Sequence, residues 1–237
     1  MKEKFSNTCF SLSFYSITTM RIIRLYEKNT DERLLDEIAS ALKDGKIIIY
    51  PTDSVYAMGC DALNVRAVEK ICEIKGVNPL KSNLSIIGSD LSSLSKYVKI
   101  SNDCYKILRK NLPGPFTFIL PTDEATKSYT EAEGLIKSYP DLKAITCPTT
   151  VGIRIPSNSI PVKIAEHLEN PLLTTSLRNS DSEEEYYTNP ELIAEAYEGI
   201  VDIVIDGGIG NCEPSAIIDY STGSPEIIRE GSIEPSL

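Results

Sequence analysis

The chain has 237 residues, of which 41% are hydrophobic, enough to enclose one large core. Its net charge of −10 is uneven: residues 1–122 carry 17 basic and 13 acidic side chains, a net of +4, and residues 123–237 carry 7 and 21, a net of −14. A uniformly basic nucleic-acid binder is thereby excluded, a local cationic groove in the first half is not, and no apolar run of about eighteen residues marks a membrane-spanning helix.

Taken in chain order, residues 1–20 are too polar for a secretory core segment and show no helical or strand pattern. They are expected to be a disordered extension, or to reflect an upstream start with Met20 as the true one, ahead of one domain over 21–237 in a cytoplasmic protein. A helix is predicted over Asp31 to Leu42, with Leu34, Leu35, Ile38 and Leu42 on one face and Gly45 as its stop. The apolar strand Ile47 to Tyr50 then runs into Pro51-Thr52-Asp53-Ser54, a polar loop at a strand's carboxyl end, where ligands commonly bind; an ordinary hydroxyl turn is the competing reading. Asn64 is placed to cap a helix over Val65 to Ile74, followed by Lys75, a cation in a favourable position on dipole grounds alone.

Alternation continues with strand Leu84 to Ile87, helices Leu91 to Tyr97 and Asn102 to Lys110, and strand Phe116 to Leu120. Strand Gly152 to Ile155, a helix around His167, strand Leu172 to Thr175, helix Pro190 to Tyr197 and strand Val201 to Ile205 follow. Strands Ala216 to Tyr220 and Glu226 to Arg229 flank Ser221-Thr222-Gly223-Ser224 and are predicted to form a hairpin. The fold class is mixed α/β. The aperiodic segment Pro121 to Pro148 is long for a loop and reads as a lid or a surface insertion.

Six cysteines lie far apart, with no C-x-x-C pair and a single histidine, which argues against zinc and against a disulfide framework. Most are expected to be reduced core residues, with Cys60, at the end of the loop segment, the one candidate to line a site. His167 lies on a helical pattern with no G-x-S-x-G elbow elsewhere, which makes triad hydrolase chemistry a poor fit. The acidic residues Asp181 to Glu185, Glu191, Glu195 and Glu198 read as a solvated face.

Several segments together resemble the YrdC-like family: Tyr50 to Cys60 (YPTDSVYAMGC), Leu112 to Leu120 (LPGPFTFIL), Val151 to Pro156 (VGIRIP), the Thr174 to Ser176 loop, and Ser215 to Gly231. They run in order over roughly residues 30 to 235. The resemblance implies a single domain, a twisted mixed β-sheet with flanking helices and a cleft. It also implies the activity of members that join threonine, bicarbonate and ATP into threonylcarbamoyl-adenylate for tRNA modification, which would make the chain an L-threonylcarbamoyladenylate synthase-like nucleotidyltransferase. Carbamate attack on the α-phosphate needs positioning and charge neutralisation rather than a protein nucleophile, so no catalytic residue is assigned. Mg²⁺ is implied with ATP only.

By motif position, Thr52 and Tyr56 resemble the residues that hold threonine, and Arg154 offers a guanidinium for a carboxylate or phosphate. Lys75 resembles the first lysine of the family's K-x-R triphosphate motif and Ser176 the serine of S-x-N, while Ser215 and Arg229 match the closing nucleotide-side motif. Lys81 offers a second phosphate contact and Thr117 a hydroxyl. Three positions depart from the pattern: Val77 stands where K-x-R has arginine, Arg178 where S-x-N has asparagine, and Asn158 where a histidine follows the R-x-P strand. These departures match the YciO-type branch. Arg178 is a candidate to replace the lost guanidinium across the cleft.

The alternative is a translation-related protein that binds double-stranded RNA or tRNA and makes no adenylate. Its phosphate contacts would come from Lys75, Lys81, Lys106, Arg109 and Lys110 and would weaken steeply with salt. The sequence leaves the oligomeric state open.

Overall fold

A computed structural model describes residues 20–77, 84–122, 150–177 and 187–237. Lys81, Arg178, residues 181–185 and nearly all of the N-terminal and 121–148 segments lie outside the described residues. Ten strands form one sheet: β1 (Arg21–Arg24), β2 (Ile48–Tyr50), β3 (Ala57–Asp61), β4 (Ser85–Ile87), β5 (Phe116–Pro121), β6 (Thr150–Arg154), β7 (Leu172–Ser176), β8 (Ile203–Asp206), β9 (Ala216–Asp219) and β10 (Glu226–Arg229). Their spatial order is β1-β8-β2-β3-β7-β4-β6-β5-β9-β10. Parallel pairs (β1 with β8, β2 with β8, β4 with β6, β5 with β9) are mixed with antiparallel ones, the last being the predicted β9–β10 hairpin.

Six described helices flank the sheet: α1 (Glu32–Lys43), α2 (Val65–Lys75), α3 (Leu91–Leu94), α4 (Asn102–Asn111), α5 (Ser159–Leu168) and α6 (Pro190–Ala196). Their starts follow the chemistry of their caps, since Asp31, Asn64, Ser101, Asn158 and Asn189 each accept a backbone N–H of the first turn through the side chain. Helix α2 stops at Gly76, whose φ of 61° is the left-handed conformation that glycine adopts without a Cβ penalty.

Two strands were not among the sequence expectations. β1 is an edge strand whose partner β8 lies far along the chain, and β3 contains Gly59 and is buried along its whole length, so it shows no alternation. Helix α3 ends at Leu94, earlier than the expected Tyr97. Cys60 belongs to β3 and packs in the core with Ile47, Ile49 and Met58, so it lines no site. Burial pushes its thiol far above the ordinary range.

Two faces of the sheet have different fates. On one, α1 and α5 cover β1, β8 and β2 with Leu35, Ile38, Leu42, Ile160, Ile164 and Leu168, reaching as far as Leu172 and Ile87. Full burial of each such side chain contributes about 1.5–3 kcal/mol, whereas exposed ion pairs such as Lys106–Asp103 contribute at most about 1 kcal/mol. Apolar packing therefore decides where the helices lie. The opposite face is covered by α2 and α6 at one end and by α3 and α4 at the other. Beyond α5 the first face turns polar, carrying Thr174 and Ser176 of β7, Ser85 of β4, Gly152 and Arg154 of β6, and Thr117 of β5. This follows from the register that pairs Thr174 with Ser85, Ser85 with Gly152 and Ile119 with Gly152.

Candidate functional site

The loop from Pro51 to Tyr56 joins β2 to β3 and is held by its own hydroxyls. Thr52 Oγ1 donates to the Val55 carbonyl at 2.7 Å, accepts from the Ser54 amide at 3.0 Å and lies 3.0 Å from Ser54 Oγ. Thr52 thus forms a hydroxyl turn and also lines a cavity. Asp53 ties this loop to the carboxyl end of β6 and the start of α5. Its Oδ1 accepts from Arg154 at 3.2 Å, and its Oδ2 accepts from the Ser157 amide at 2.7 Å and the Ser157 hydroxyl at 3.1 Å. Arg154 also donates to Ser54 Oγ at 3.0 Å.

Both members of the Asp53–Arg154 pair have side chains under one-tenth exposed. Burial lowers the pKa of the Arg154 guanidinium, the charge of Asp53 opposes that effect, and the nearby Arg229 adds to it. An arginine stays protonated through such a shift.

Arg229 donates twice to the Ser215 carbonyl, from Nε at 3.1 Å and from a terminal nitrogen at 2.8 Å, and Ser215 Oγ stands 2.9 Å from Thr117 Oγ1. The residue before β9, the second residue of β5 and the end of β10 thus bring three expected nucleotide-side residues together. Lys75 reaches from the end of α2 to the carboxyl end of β7, where Nζ donates to the Ser176 carbonyl at 2.9 Å. It acts beyond its own helix terminus. Val77, two residues on, is 36% exposed at the surface.

A cavity of about 380 Å³ lies on the other side of the Asp53 loop. It is lined by Thr52, Asp53, Ser157, Asn158 and the loop after β8, including Gly207 and Asn211. It sits at the carboxyl ends of the parallel strands β1, β8 and β2, the usual place for a ligand crevice in an open α/β sheet. Tyr56 takes part indirectly: its hydroxyl donates to the Gly208 carbonyl at 2.7 Å and accepts from the Gly207 amide at 3.2 Å, fixing the wall of the cavity. Burial raises its pKa to about 12. Asn158 spends its side-chain oxygen on the Ile160 amide as the cap of α5.

Thr52, Tyr56 and Arg154 therefore gather around one loop, and Thr117, Ser215 and Arg229 around one sheet edge. The residues that sequence reasoning passed over are Asp53, Ser157 and Asn211, whose Nδ2 donates to the Asp53 carbonyl at 3.0 Å. The P-T-D-S string was a signal for Asp53; nothing local marked its partners. Lys106, Arg109 and Lys110 are exposed on α4, which packs on the sheet face opposite the one that carries Thr117, Arg154 and Thr174. Among the described residues no cluster of three His, Cys, Asp or Glu side chains is placed to hold a metal ion. Glu191, Glu195 and Glu198 are exposed, a solvated face as expected.

The Sua5/YciO/YrdC family model, described as "Telomere recombination", matches residues 40–231. The chain is 33% identical to Escherichia coli YciO over 210 residues, which is 87% of this chain and 93% of that one. The crystal structure of E. coli YciO superposes with a TM-score of 0.76 over 91% of this chain and 97% of the other. A putative threonylcarbamoyl-AMP synthase of Methanocaldococcus jannaschii is 35% identical over 218 residues, 90% of this chain and 94% of that protein. Pyrococcus abyssi Sua5, in a crystal structure complexed with L-threonine, superposes with a TM-score of 0.74 at 27% identity, over 90% of this chain and 58% of that one.

Proposed function

The chain belongs to the Sua5/YciO/YrdC family, and from that premise we propose that its cleft binds threonine and ATP and forms a threonylcarbamoyl-adenylate, with a weakened hold on the triphosphate. The observation that carries this reading is the Asp53–Arg154 pair. It places a buried cation between the Thr52-lined cavity, of amino-acid size, and the Thr117, Ser215 and Arg229 cluster, whose hydroxyls and guanidinium suit a phosphate. A relative solved with L-threonine supports the first half, and kinship to a putative threonylcarbamoyl-AMP synthase supports the second.

In this reading Thr52 and Arg154 orient threonine, while Lys75, Arg229, Ser215 and Thr117 neutralise and position the nucleotide. The carbamate oxygen forms its bond to the α-phosphorus as the bond to pyrophosphate breaks. The described residues offer Mg²⁺ no ligand set of their own, because Asp53 already serves Arg154 and Ser157. Mg²⁺ accordingly enters as part of the Mg-ATP substrate. Valine at position 77 in place of the family's arginine removes a forked donor from the triphosphate side.

The test is calorimetric titration with Mg-ATP, with and without threonine and bicarbonate, alongside pyrophosphate release. Saturable ATP binding strengthened by threonine, with threonine-dependent pyrophosphate, is the expected result. An absence of binding at millimolar ATP, a ceiling of about −4 kcal/mol, removes it. A duplex-RNA reading has to account for cations that α4 presents on the far side of the sheet. Binding there would weaken steeply with salt and be indifferent to cleft substitutions.

A further inference from the structure

Strand β10 is weakly held by its own pairing. It lies at the end of the described strand order, paired with β9, and a register shift falls between Ile227 and Arg229. Ile227 and Ile228 are 43% and 55% exposed, and Glu226 faces Asp219, a like-charged pair. A two-stranded hairpin with so little apolar cover is marginal in water. Arg229 nevertheless stands at the end of this strand with two bonds to the Ser215 carbonyl, and Ser215 Oγ meets Thr117.

The segment after the strand supplies further support. Gly231 lies against the backbone at the entry to β9, where a Cβ would stand 2.4 Å from the Ala216 nitrogen and 3.0 Å from the Pro214 carbonyl oxygen. The Ala216 amide in turn donates to the Pro115 carbonyl at 3.0 Å, just ahead of β5. Further along, Ser236 is fastened to Asn111, the last residue of α4. The Ser236 amide donates to Asn111 Oδ1 at 2.8 Å and its carbonyl accepts from Asn111 Nδ2 at 3.1 Å, the reciprocal exchange of a strand pair. Nδ2 also donates to the Ile107 carbonyl at 2.8 Å, so both the nitrogen and the oxygen of a side chain only 5% exposed are engaged. A buried amide is costly unless satisfied. Here its partner is the backbone of a segment that belongs to no helix or strand.

We propose that Asn111 is a positioning residue for the nucleotide side of the cleft. It holds residues 231–236 as a strap across the entry to β9, and the strap keeps Arg229 on Ser215 and Ser215 on Thr117. Asn111 acts through the hairpin and not on substrate. With the strap released, a marginal hairpin frays at its end, and a guanidinium displaced by about 1 Å loses much of its hold on a phosphate. The role for nucleotide rests on the reading of Thr117, Ser215 and Arg229 as nucleotide contacts, while the hold on Arg229 is observable with no nucleotide present.

Nuclear magnetic resonance follows solvent exchange of the Arg229 Nε–H, the proton bonded to the Ser215 carbonyl, in full-length wild type, Asn111→Ala and Gly231→Ala, with Arg229→Lys assigning the signal. The two substitutions release the strap at opposite ends, so either one serves if the other fails to fold. Asn189→Ala, which removes the cap of α6, controls for a general loss of stability. Mg-ATP and threonine titrations are run on the same samples. The expected result is exchange about tenfold faster in both strap variants, ATP affinity about tenfold lower and threonine affinity unchanged, with Asn189→Ala moving none of them. Unchanged exchange in a folded strap variant, or equal acceleration in Asn189→Ala, overturns the strap. Faster exchange with undiminished ATP affinity overturns its role for nucleotide. Faster exchange in the strap variants of a protein that binds no ATP in any form supports the strap and defeats the adenylate reading only.

Discussion

Asp53 and Arg154 are 101 positions apart in the chain and meet at 3.2 Å, each with its side chain under one-tenth exposed. The pair joins the β2–β3 loop to the end of β6, and through Ser157 to the start of α5. A single carboxylate thereby sets the geometry of both the cavity wall and the buried cation.

Asp53→Asn can keep its one oxygen as the acceptor for Ser157, and it then turns an amide NH2, a donor without charge, toward Arg154 in place of the accepting carboxylate oxygen. Leaving a buried guanidinium uncompensated is expected to cost about 3 kcal/mol, while Asp53→Asn combined with Arg154→Met should return most of that stability. Urea unfolding measures both. An unchanged midpoint in the single variant would refute the clamp.

His167 gives a pH dependence of known sign. Nδ1 lies 2.7 Å from Asp36 and Nε2 2.9 Å from Glu32, bonding α5 to α1, and the Asp36 contact chiefly holds the imidazole pKa above its ordinary value. Stability from this contact is therefore complete below about pH 6.5 and is lost as pH rises through the folded value. Because both carboxylates are exposed, the effect should not exceed about 1 kcal/mol and should shrink with salt. Melting temperatures between about pH 6 and pH 8 should fall less in His167→Gln than in wild type. Parallel curves would assign the pH dependence elsewhere.

Gly59→Ala places a Cβ 2.3 Å from the Leu173 carbonyl oxygen and 2.9 Å from the Tyr50 ring, between paired strands that cannot separate. A loss of about 3 kcal/mol is expected. Gly76→Ala meets nothing within 4 Å and bears only the cost of its left-handed backbone, about 1 kcal/mol. Thermal melts of the two variants should rank in that order, and equal losses would contradict the close approach of β3 to β7.

Val77→Arg restores the forked donor two residues after Lys75. The position is exposed, so the longer side chain is accommodated at the surface. If the cleft binds a triphosphate, ATP affinity should rise about tenfold, in line with a charge-assisted bond of about 1.4 kcal/mol. Lys75→Met should lower it. Calorimetry showing identical ATP binding in both variants would remove position 77 and Lys75 from the site.

Much of the architecture was legible in local patterns. Asn64 and Ser101 cap helices where their chemistry places them, and β10 spans Glu226–Arg229 as the turn residues before it indicated. Buried strand β3 was not legible, because a segment closed on both faces and containing Gly59 carries no period. Nor was edge strand β1, which exists only because β8 offers it a parallel partner.

The sequence by itself determined the family motifs, the mixed α/β class and the candidates Thr52, Lys75, Arg154, Ser215 and Arg229, because helix caps, turns and signature strings act over a few residues. Tertiary structure alone decided that Asp53 neutralises Arg154, that Tyr56 anchors the wall at Gly208 and that Cys60 is core. Those relations depend on sheet register and on which half of a face the helices cover, properties set by contacts distant in the chain rather than by any local pattern.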